Sequence, residues 1–368
     1  MNDVRLSAAQ WREVCERVFR AWGAPDDIAA CVAHSLVESN LAGVDSHGVV
    51  RIGNYYNFVK PGWWLPAGRP QVAREGPCTA VVDGHWGFGQ PAMHLGLDLG
   101  IAKAREHGIA GIGVIHAGHI GRLGEYAEKA AAAGMIALMG TNNARSGGHV
   151  VPYGGAERVF STNPVAAGVP ARRHVPFIMD FATTVVAAGK LELGGEPDKP
   201  IPAGWAVDEV GQPATTARQY LEGGAMLPFA GHKGYALALL IELLAGALTG
   251  AGVTQRPQVV PTSGLGFAGN ATFLVVLDVA HFTDVEQFFD DVDGLFDRLD
   301  GVKPAPGFQR VIVPGEPEAE QRRTRSEDGI GVAGGIWEQI MRIAAESQVS
   351  LADIQRMTSQ SGVTDGSE

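Results

Sequence analysis

The chain has 368 residues, is 45% hydrophobic and 19% charged, and carries a formal net charge of -11 with a pI near 5.5. That length suits two domains or three small ones and buries enough apolar surface to need no disulfide or metal staple. The acidic balance, with no basic stripe, excludes a nucleic-acid-binding role, and the polar opening MNDVRLSAAQWREVC argues against a secretory leader.

Residues 7–40 read as two helices. In the first, Trp11, Val14, Val18 and Trp22 share a face and Gly23 stops it. The second opens with Pro25 and two acids, which suits a helix N-terminus. GVDSHGVVRIGNYY follows, then the loop WWLPAGRP. TAVVDG (79–84) predicts a strand, 87–108 a glycine turn feeding a helix, 109–119 a β-branched strand with a polar end, 124–134 a helix and 135–143 a strand. FSTNPVAAGVPA and PFIMDFATTVVAAGK are strand-and-turn units, and 200–216 is rich in turns.

The apolar run from Ala236 to Ala251 contains Glu242 and falls short of the ~20 residues a bilayer needs. With GHKGY before it, it predicts one buried helix and no membrane span. Residues 270–279 predict a strand, 284–299 an amphipathic acidic helix, 316–329 a solvated charged stretch and 337–348 a last helix, before a frayed tail at 359–368. The alternation places the chain in the mixed α/β class, with helical ends that pack together as one discontinuous domain. Fifty glycines, about twice the average usage, mark many tight turns and close backbone approaches. Cys15, Cys31 and Cys78 form no CxxC pair, which suits a reducing cytosol and gives no zinc signal.

Gly87, Gly89 and Ala92 fit a GxGxxA fingerprint between a strand and a helix. The next strand should then end in a ribose-binding acid, but it ends His116-Ala117-Gly118-His119, so the stretch reads as a tight turn and not a Rossmann site. Asp45-Ser46-His47-Gly48 precedes Arg51 by one helical turn. A titratable proton donor beside a guanidinium is what reduction of a 2-oxo acid needs. The plainer alternative is a capping Ser with a surface His and Arg. His116 and His119 end an apolar strand, where α/β proteins build sites, but no third ligand stands near enough for a metal. Ser161-Thr162-Asn163-Pro164 is a polar turn. Asp180 ends PFIM, where it can orient a His, hold a ribose or cap the next segment. His232 and Lys233 open the apolar helix and can meet an anion there.

In this order, NLAGVDSHGVVRI, GHIGRLGEYAEKAAAAGM, VPYGGAERVFSTNP, MDFATTVVAAGK, GHKGYALALLIELLAGALTGAG and VPGEPE resemble the malate/L-lactate dehydrogenase family of non-Rossmann NAD(P)H-dependent oxidoreductases. The resemblance covers about residues 5–345, and its DSHG and FAGHKGYALA stretches look closest to the hydroxycarboxylate dehydrogenase B branch.

The resemblance implies a mostly antiparallel sheet, NAD or NADP as cofactor, a small 2-oxo or 2-hydroxy acid as substrate, and a homodimer with its site near the subunit contact; the chemistry requires no metal, and the cysteines, charge and apolar run point to a cytoplasmic protein with no nucleic-acid or membrane partner. His47, with Ser46 before it, and His119 match the two positions that different members use for the proton. Arg51 matches the carboxylate-binding Arg, Thr162 a substrate-side Thr, and Asp180 an Asp near the catalytic His and the cofactor. His119, Ile120, Gly121, Arg122, Leu123, Asp180, Phe181, Ala182, His232, Lys233, Gly315 and Glu316 match segments lining the cofactor site. The implied division is 1–75 with 310–368 (helical), 76–120 with 260–309 (α/β) and 121–259 (cofactor-binding).

The chain departs from the family pattern in places. H-A-G-H-I-G stands where many members have N-S before x-H-F-G, and Arg122 where several carry a small residue. Gly147-Gly148 lengthen a loop, and the stretch after Lys190 is short. Arg122 and Arg145 are each either a 2′-phosphate contact or a solvated charge. A cyclic or N-alkyl imino acid is the alternative substrate, because a C=N accepts hydride in the same geometry. A binding protein without catalysis is the alternative class, but its mark, loss of His47, His119, Asp180 or Lys233, is absent.

Overall fold

Ser7 and Gln10 start the first long helix reciprocally. Ser7 Oγ accepts the Gln10 N–H at 3.2 Å, and Gln10 Oε1 accepts the Ser7 N–H at 2.9 Å. The computed structural model describes residues 3–143, 148–192, 197–253 and 269–350; Arg145, Gly147 and the 359–368 tail lie outside them. Strand β1 (Val4–Leu6) leads into α1 (Ala8–Ala21) and α2 (Asp26–Leu41), then a 3-10 turn (Asp45–His47) and α3 (Arg51–Val59). The sheet region runs β2 (Gln71–Glu75), β3 (Thr79–Asp83), α4 (Gly89–His107), β4 (Ile109–Ala117), α5 (Leu123–Ala132), β5 (Met135–Asn143), β6 (Val165–Val169) and β7 (Phe177–Phe181). Next come α6 (Ala188–Glu192), β8 (Ala206–Val207), α7 (Ala217–Leu221), β9 (Ala225–Met226), α8 (His232–Ile241) and a π-helical turn (Glu242–Leu248). The chain continues through β10 (Asn270–Asp278), α9 (Val285–Asp300), α10 (Glu316–Asp328), β11 (Ile330–Val332) and α11 (Gly334–Glu346).

The two ends of the chain pack together as expected. β1 pairs antiparallel with β11, and Leu6, Trp11, Val14, Phe19 and Leu36 share one apolar core with Ile330, Ile340 and Ile343. Each such side chain contributes about 1.5–3 kcal/mol by leaving water. Trp22, on the same face as Trp11, Val14 and Val18, packs partly buried against this core at the end of α1 and donates its Nε1–H to Ser347 Oγ at 2.8 Å.

Seven strands form the main sheet in the order β2-β3-β4-β10-β5-β6-β7; only β3 and β4 pair in parallel. The register gathers the functional ends at one edge. Asp83 stands opposite Ile115, Asn270 opposite both Ala117 and Asn143, and Val165 opposite Phe181. A second core, with Met93, Leu97, Ile112, Val114, Tyr126, Leu274 and Val276, fills the space between the sheet, α4 and α5. Gly89 explains the GxGxxA stretch. A Cβ there would run into the carbonyl oxygens of Gly118 and His119, so the glycine lets α4 press against the His119 loop.

Three expectations need correction. The 236–251 run is not one buried helix: α8 gives way to the π-helical turn, and Leu240, Leu243 and Leu248 are 49%, 50% and 64% exposed. The solvated charged stretch at 316–329 is solvated but forms a regular helix, α10, between Gly315 and Gly329. β1, β2, β8, β9 and β11 were not anticipated; four of these five are two or three residues long and carry no readable alternation. Among the described residues no helix is long and apolar enough to cross a membrane.

Candidate active site

The DSHG turn is built by contacts distant in sequence. Asn40, near the end of α2, donates Nδ2–H to Asp45 Oδ1 at 2.6 Å and accepts the Val49 N–H on Oδ1 at 2.8 Å. Arg325 of α10 grips both Asp45 oxygens, at 2.6 and 3.0 Å, and the Asn40 carbonyl at 2.6 Å. A Cβ on Gly48 would fall on the Asn40 carboxamide. Gly48→Ala is therefore expected to cost about 1–3 kcal/mol of stability and to lower activity by shifting His47; thermal unfolding and turnover of the variant check this.

The turn faces the His119 loop. The rings of His47 and His119 lie 5.4 Å apart and 31° from coplanar. Ser46 Oγ is 3.0 Å from His47 Nδ1, and Arg51 donates Nε–H to the Ser46 carbonyl at 2.5 Å. Burial, then the charges of Arg51 and Arg122, push His47 down to about 3. Burial, Arg51 and His47 hold His119 well below its ordinary value. His119 Nδ1 meets the Tyr55 hydroxyl at 2.9 Å and accepts the Gly121 N–H at 3.2 Å; Gln90 Nε2–H donates to Tyr55 Oη at 2.9 Å. Ile120 and Leu123 are buried; the Ile120 N–H donates to Asn270 Oδ1 at 3.2 Å, and its carbonyl accepts the Tyr126 hydroxyl.

Arg122 is buried rather than solvated. Its Nη2 sits 2.8 Å from both oxygens of Glu128, and Arg322 of α10 joins the same carboxylate at 3.0 Å. Its charge acts on His47 and on Asp180 alike. Asp180 accepts the Gly124 N–H at 2.7 Å on Oδ2, while His119 Nδ1 is met by Tyr55 and Gly121. Desolvation, opposed by the Gly124 bond and Arg122 and reinforced by Glu128 and Glu318, pushes the Asp180 carboxyl up to about 6.

The chain beyond Asp180 carries the other residues. The Phe181 and Phe229 rings meet edge to face at 5.6 Å. Thr183 donates N–H and Oγ1–H to the Thr162 carbonyl at 3.0 and 2.9 Å, and the Phe229 N–H donates to the Thr183 carbonyl at 3.1 Å. Ala182 lies between these contacts. His232 and Lys233 are exposed at the start of α8, with the Tyr153 ring 5.9 Å from that of His232. Gly315 packs beneath β7, where the Ile178 N–H donates to the Pro314 carbonyl at 2.9 Å; Glu316 Oε2 accepts the Val313 N–H at 3.1 Å.

Thus Ser46, His47, Arg51 and His119 come together, the Arg122 charge acts on both His47 and Asp180, and the bonds of Thr183 to Thr162 and of Phe229 to Thr183 tie the chain after Asp180 to the segment just before α8, where His232 and Lys233 stand. His116 stands apart, with Nδ1 2.9 Å from Asp83 Oδ2. Sequence reasoning missed Asn40, Tyr55, Gln90 and Arg325, whose contacts cross 5 to 285 positions. Among the described residues no three His, Cys, Asp or Glu side chains converge on a metal site.

The mixed sheet thus brings two imidazoles to within 5.4 Å of each other beside an arginine. The family model for malate/L-lactate dehydrogenase matches residues 6–341. A malate dehydrogenase of Pyrococcus horikoshii is 36% identical, over 93% of this chain and 95% of its own length. A Δ1-pyrroline-2-carboxylate/Δ1-piperideine-2-carboxylate reductase of Pseudomonas putida is 35% identical over 67% of this chain and 72% of its own. The solved sulfolactate dehydrogenase of Methanocaldococcus jannaschii superimposes with a TM-score of 0.85 at 31% identity, covering 95% of this chain and 99% of its own. The chain belongs to the malate/L-lactate dehydrogenase family. It is an oxidoreductase, a 2-hydroxy acid dehydrogenase.

Proposed function

We propose that this dehydrogenase moves hydride between a nicotinamide dinucleotide and the second carbon of a small 2-oxo or 2-hydroxy acid, at the cluster of His47, His119 and Arg51. The observation that carries the reading is the 5.4 Å approach of the two imidazoles beside Arg51. The residues fit the cofactor. Oδ1 of Asn142, Asn143 and Asn163 is buried without a protein partner near the functional edge, an acceptor set that suits a carboxamide N–H and ribose hydroxyls. Asp180 suits a ribose hydroxyl, and Lys233 with the first turn of α8 suits a pyrophosphate. When bound, the reduced nicotinamide supplies the hydride.

The protein does the rest. Arg51 pairs with the substrate carboxylate and so fixes the face of the carbonyl that is presented. An imidazole N–H stabilises negative charge as it develops on the oxygen, and a histidine proton neutralises it. In the oxidation direction the same residues run in reverse.

Asp180 predicts a pH dependence. Its carboxyl, raised to about 6, is ionised above that pH and accepts hydroxyl donors best there. Cofactor affinity is expected to fall several-fold as pH drops through that value, and Asp180→Asn to flatten the dependence; fluorescence titration with NADH measures both.

We place the enzyme in the cytosol as a homodimer. Its three cysteines are free, the state a reducing compartment maintains. Leu138 on one sheet face is 47% exposed, and the half-exposed leucines at 240, 243 and 248 offer a second cover for a partner copy. The division into 1–75 with 310–368, 76–120 with 260–309, and 121–259 stands as part of the same proposal.

Oxidation of NADH and NADPH in parallel, against pyruvate, oxaloacetate, phenylpyruvate, 2-oxoglutarate and piperideine-2-carboxylate, tests the reading. Turnover of an open-chain 2-oxo acid is expected and identifies the preferred cofactor. Turnover of the cyclic imine alone would move the function to imino acid reduction, as the name of the Pseudomonas relative indicates for that protein.

A further inference from the structure

We propose that Tyr55 and Gln90 are positioning residues that lock His119 in one neutral tautomer, with its proton on Nε2, so that His119 serves as a fixed hydrogen-bond donor and His47 exchanges the proton. The proposal rests on the reading above and assigns its two histidines different tasks. The Gly121 N–H can only donate, and it points at His119 Nδ1 from 3.2 Å. Nδ1 therefore presents a lone pair. The Tyr55 hydroxyl, 2.9 Å away, must then donate to that lone pair, and its oxygen is left to accept the Gln90 Nε2–H at 2.9 Å.

The lock is rigid. Tyr55 and Gln90 are both buried, and the Tyr55 ring is held by Trp64 at 4.9 Å and Phe88 at 6.0 Å. Burial also keeps the phenol protonated, hence a donor. Placing a proton on His119 Nδ1 would leave both donors facing another N–H, so the imidazolium is disfavoured on geometry. His47 differs. Its Nδ1 faces Ser46 Oγ at 3.0 Å, and a hydroxyl donates or accepts as the ring requires. In the reductive direction an N–H bond of protonated His47 breaks as the O–H bond of the product forms, and solvent then reprotonates the ring. His119 keeps its Nε2 proton throughout and directs it at the same oxygen.

The test reads the ring nitrogens directly. Long-range proton–nitrogen correlation spectra of the full-length, nitrogen-labelled protein, with the His119 signals assigned through His119→Gln, report which nitrogen carries hydrogen. Wild type is expected to show a bare Nδ1 and a protonated Nε2 on His119, with no titration across neutral pH. Tyr55→Phe and Gln90→Leu are expected to mix the tautomers and lower kcat about tenfold with KM for the 2-oxo acid little changed. Gln90 makes no hydrogen bond to His119 and reaches it through Tyr55 and through packing at Gly121, so Gln90→Leu carries the test if Tyr55→Phe fails to fold. A protonated Nδ1 in wild type overturns the proposal, and so do variants with unchanged tautomer and kcat. Because the spectrum needs no substrate, a locked tautomer in a protein that turns over no 2-oxo acid would sustain the lock and refute the activity.

Discussion

Replacing Arg51 with leucine is expected to lower kcat/KM for a 2-oxo acid by about 10^2–10^3-fold, the range reported when one partner of a desolvated charge pair is removed. The Nε bond to the Ser46 carbonyl aims the side chain and couples it to the residue beside His47. Losing Arg51 therefore removes the carboxylate partner and the register of carbonyl against histidine together. Arg51→Lys should recover only part of the loss, because an ammonium cannot reproduce the planar two-point grip. The charge also matters to the histidines. Burial first and Arg51 second hold both below their ordinary values, so removing Arg51 lifts part of that depression in the free enzyme. Steady-state kinetics on a 2-oxo acid and on its neutral amide separate the roles. The amide should be a poor substrate for both proteins, and nearly equally poor. Equal kcat/KM of wild type and Arg51→Leu on the acid would remove Arg51 from substrate binding.

His47→Ala is expected to lower kcat by about 10^2–10^4-fold, the usual span for losing a positioned proton donor, with the dissociation constant for NADH unchanged. The pH dependence has a definite sign. In the free enzyme His47 is depressed to about 3, so near neutrality it is neutral. A substrate carboxylate at Arg51 offsets part of that positive field and raises the His47 pKa. Binding the 2-oxo acid is thus linked to proton uptake, and its affinity falls as pH rises toward the pKa of the complex. The linkage should vanish in His47→Ala and persist in His119→Gln. Calorimetric titration in two buffers of different ionisation enthalpy counts the protons. Uptake that survives in His47→Ala would assign the proton to another group.

Much of this site was legible before the fold was known, for a physical reason. Short polar motifs at strand ends and helix starts, such as Ser46-His47, His119, Asp180 and His232-Lys233, stand out against apolar runs. What was not legible is what holds them. Arg325 looked like one charge in a solvated stretch, yet it closes on Asp45 across 280 positions. Tyr55 and Gln90 sit in ordinary helical contexts, and only the meeting of α3, α4 and the 118–122 loop gives them a task. Arg122 reads from sequence as a 2′-phosphate contact or a solvated charge because its partner, Glu128, lies six residues on in α5 and shows no motif. The apolar run at 236–251 misled for another reason. Hydrophobicity signals that a face will be covered but not by what, and about half the surface of three of its leucines is open in the single chain.

Hydride transfer to the second carbon of the acid can be followed by isotope. Purified enzyme is given NADH or NADPH carrying deuterium at the transferred position, together with the 2-oxo acid that turns over, and the product is examined by mass spectrometry and NMR. One deuterium is expected on the second carbon of a 2-hydroxy acid, of a single configuration, formed in step with cofactor oxidation and reduced in rate with Arg51→Leu. A product that carries no deuterium on that carbon, or cofactor oxidation with no 2-hydroxy acid formed, would contradict that transfer.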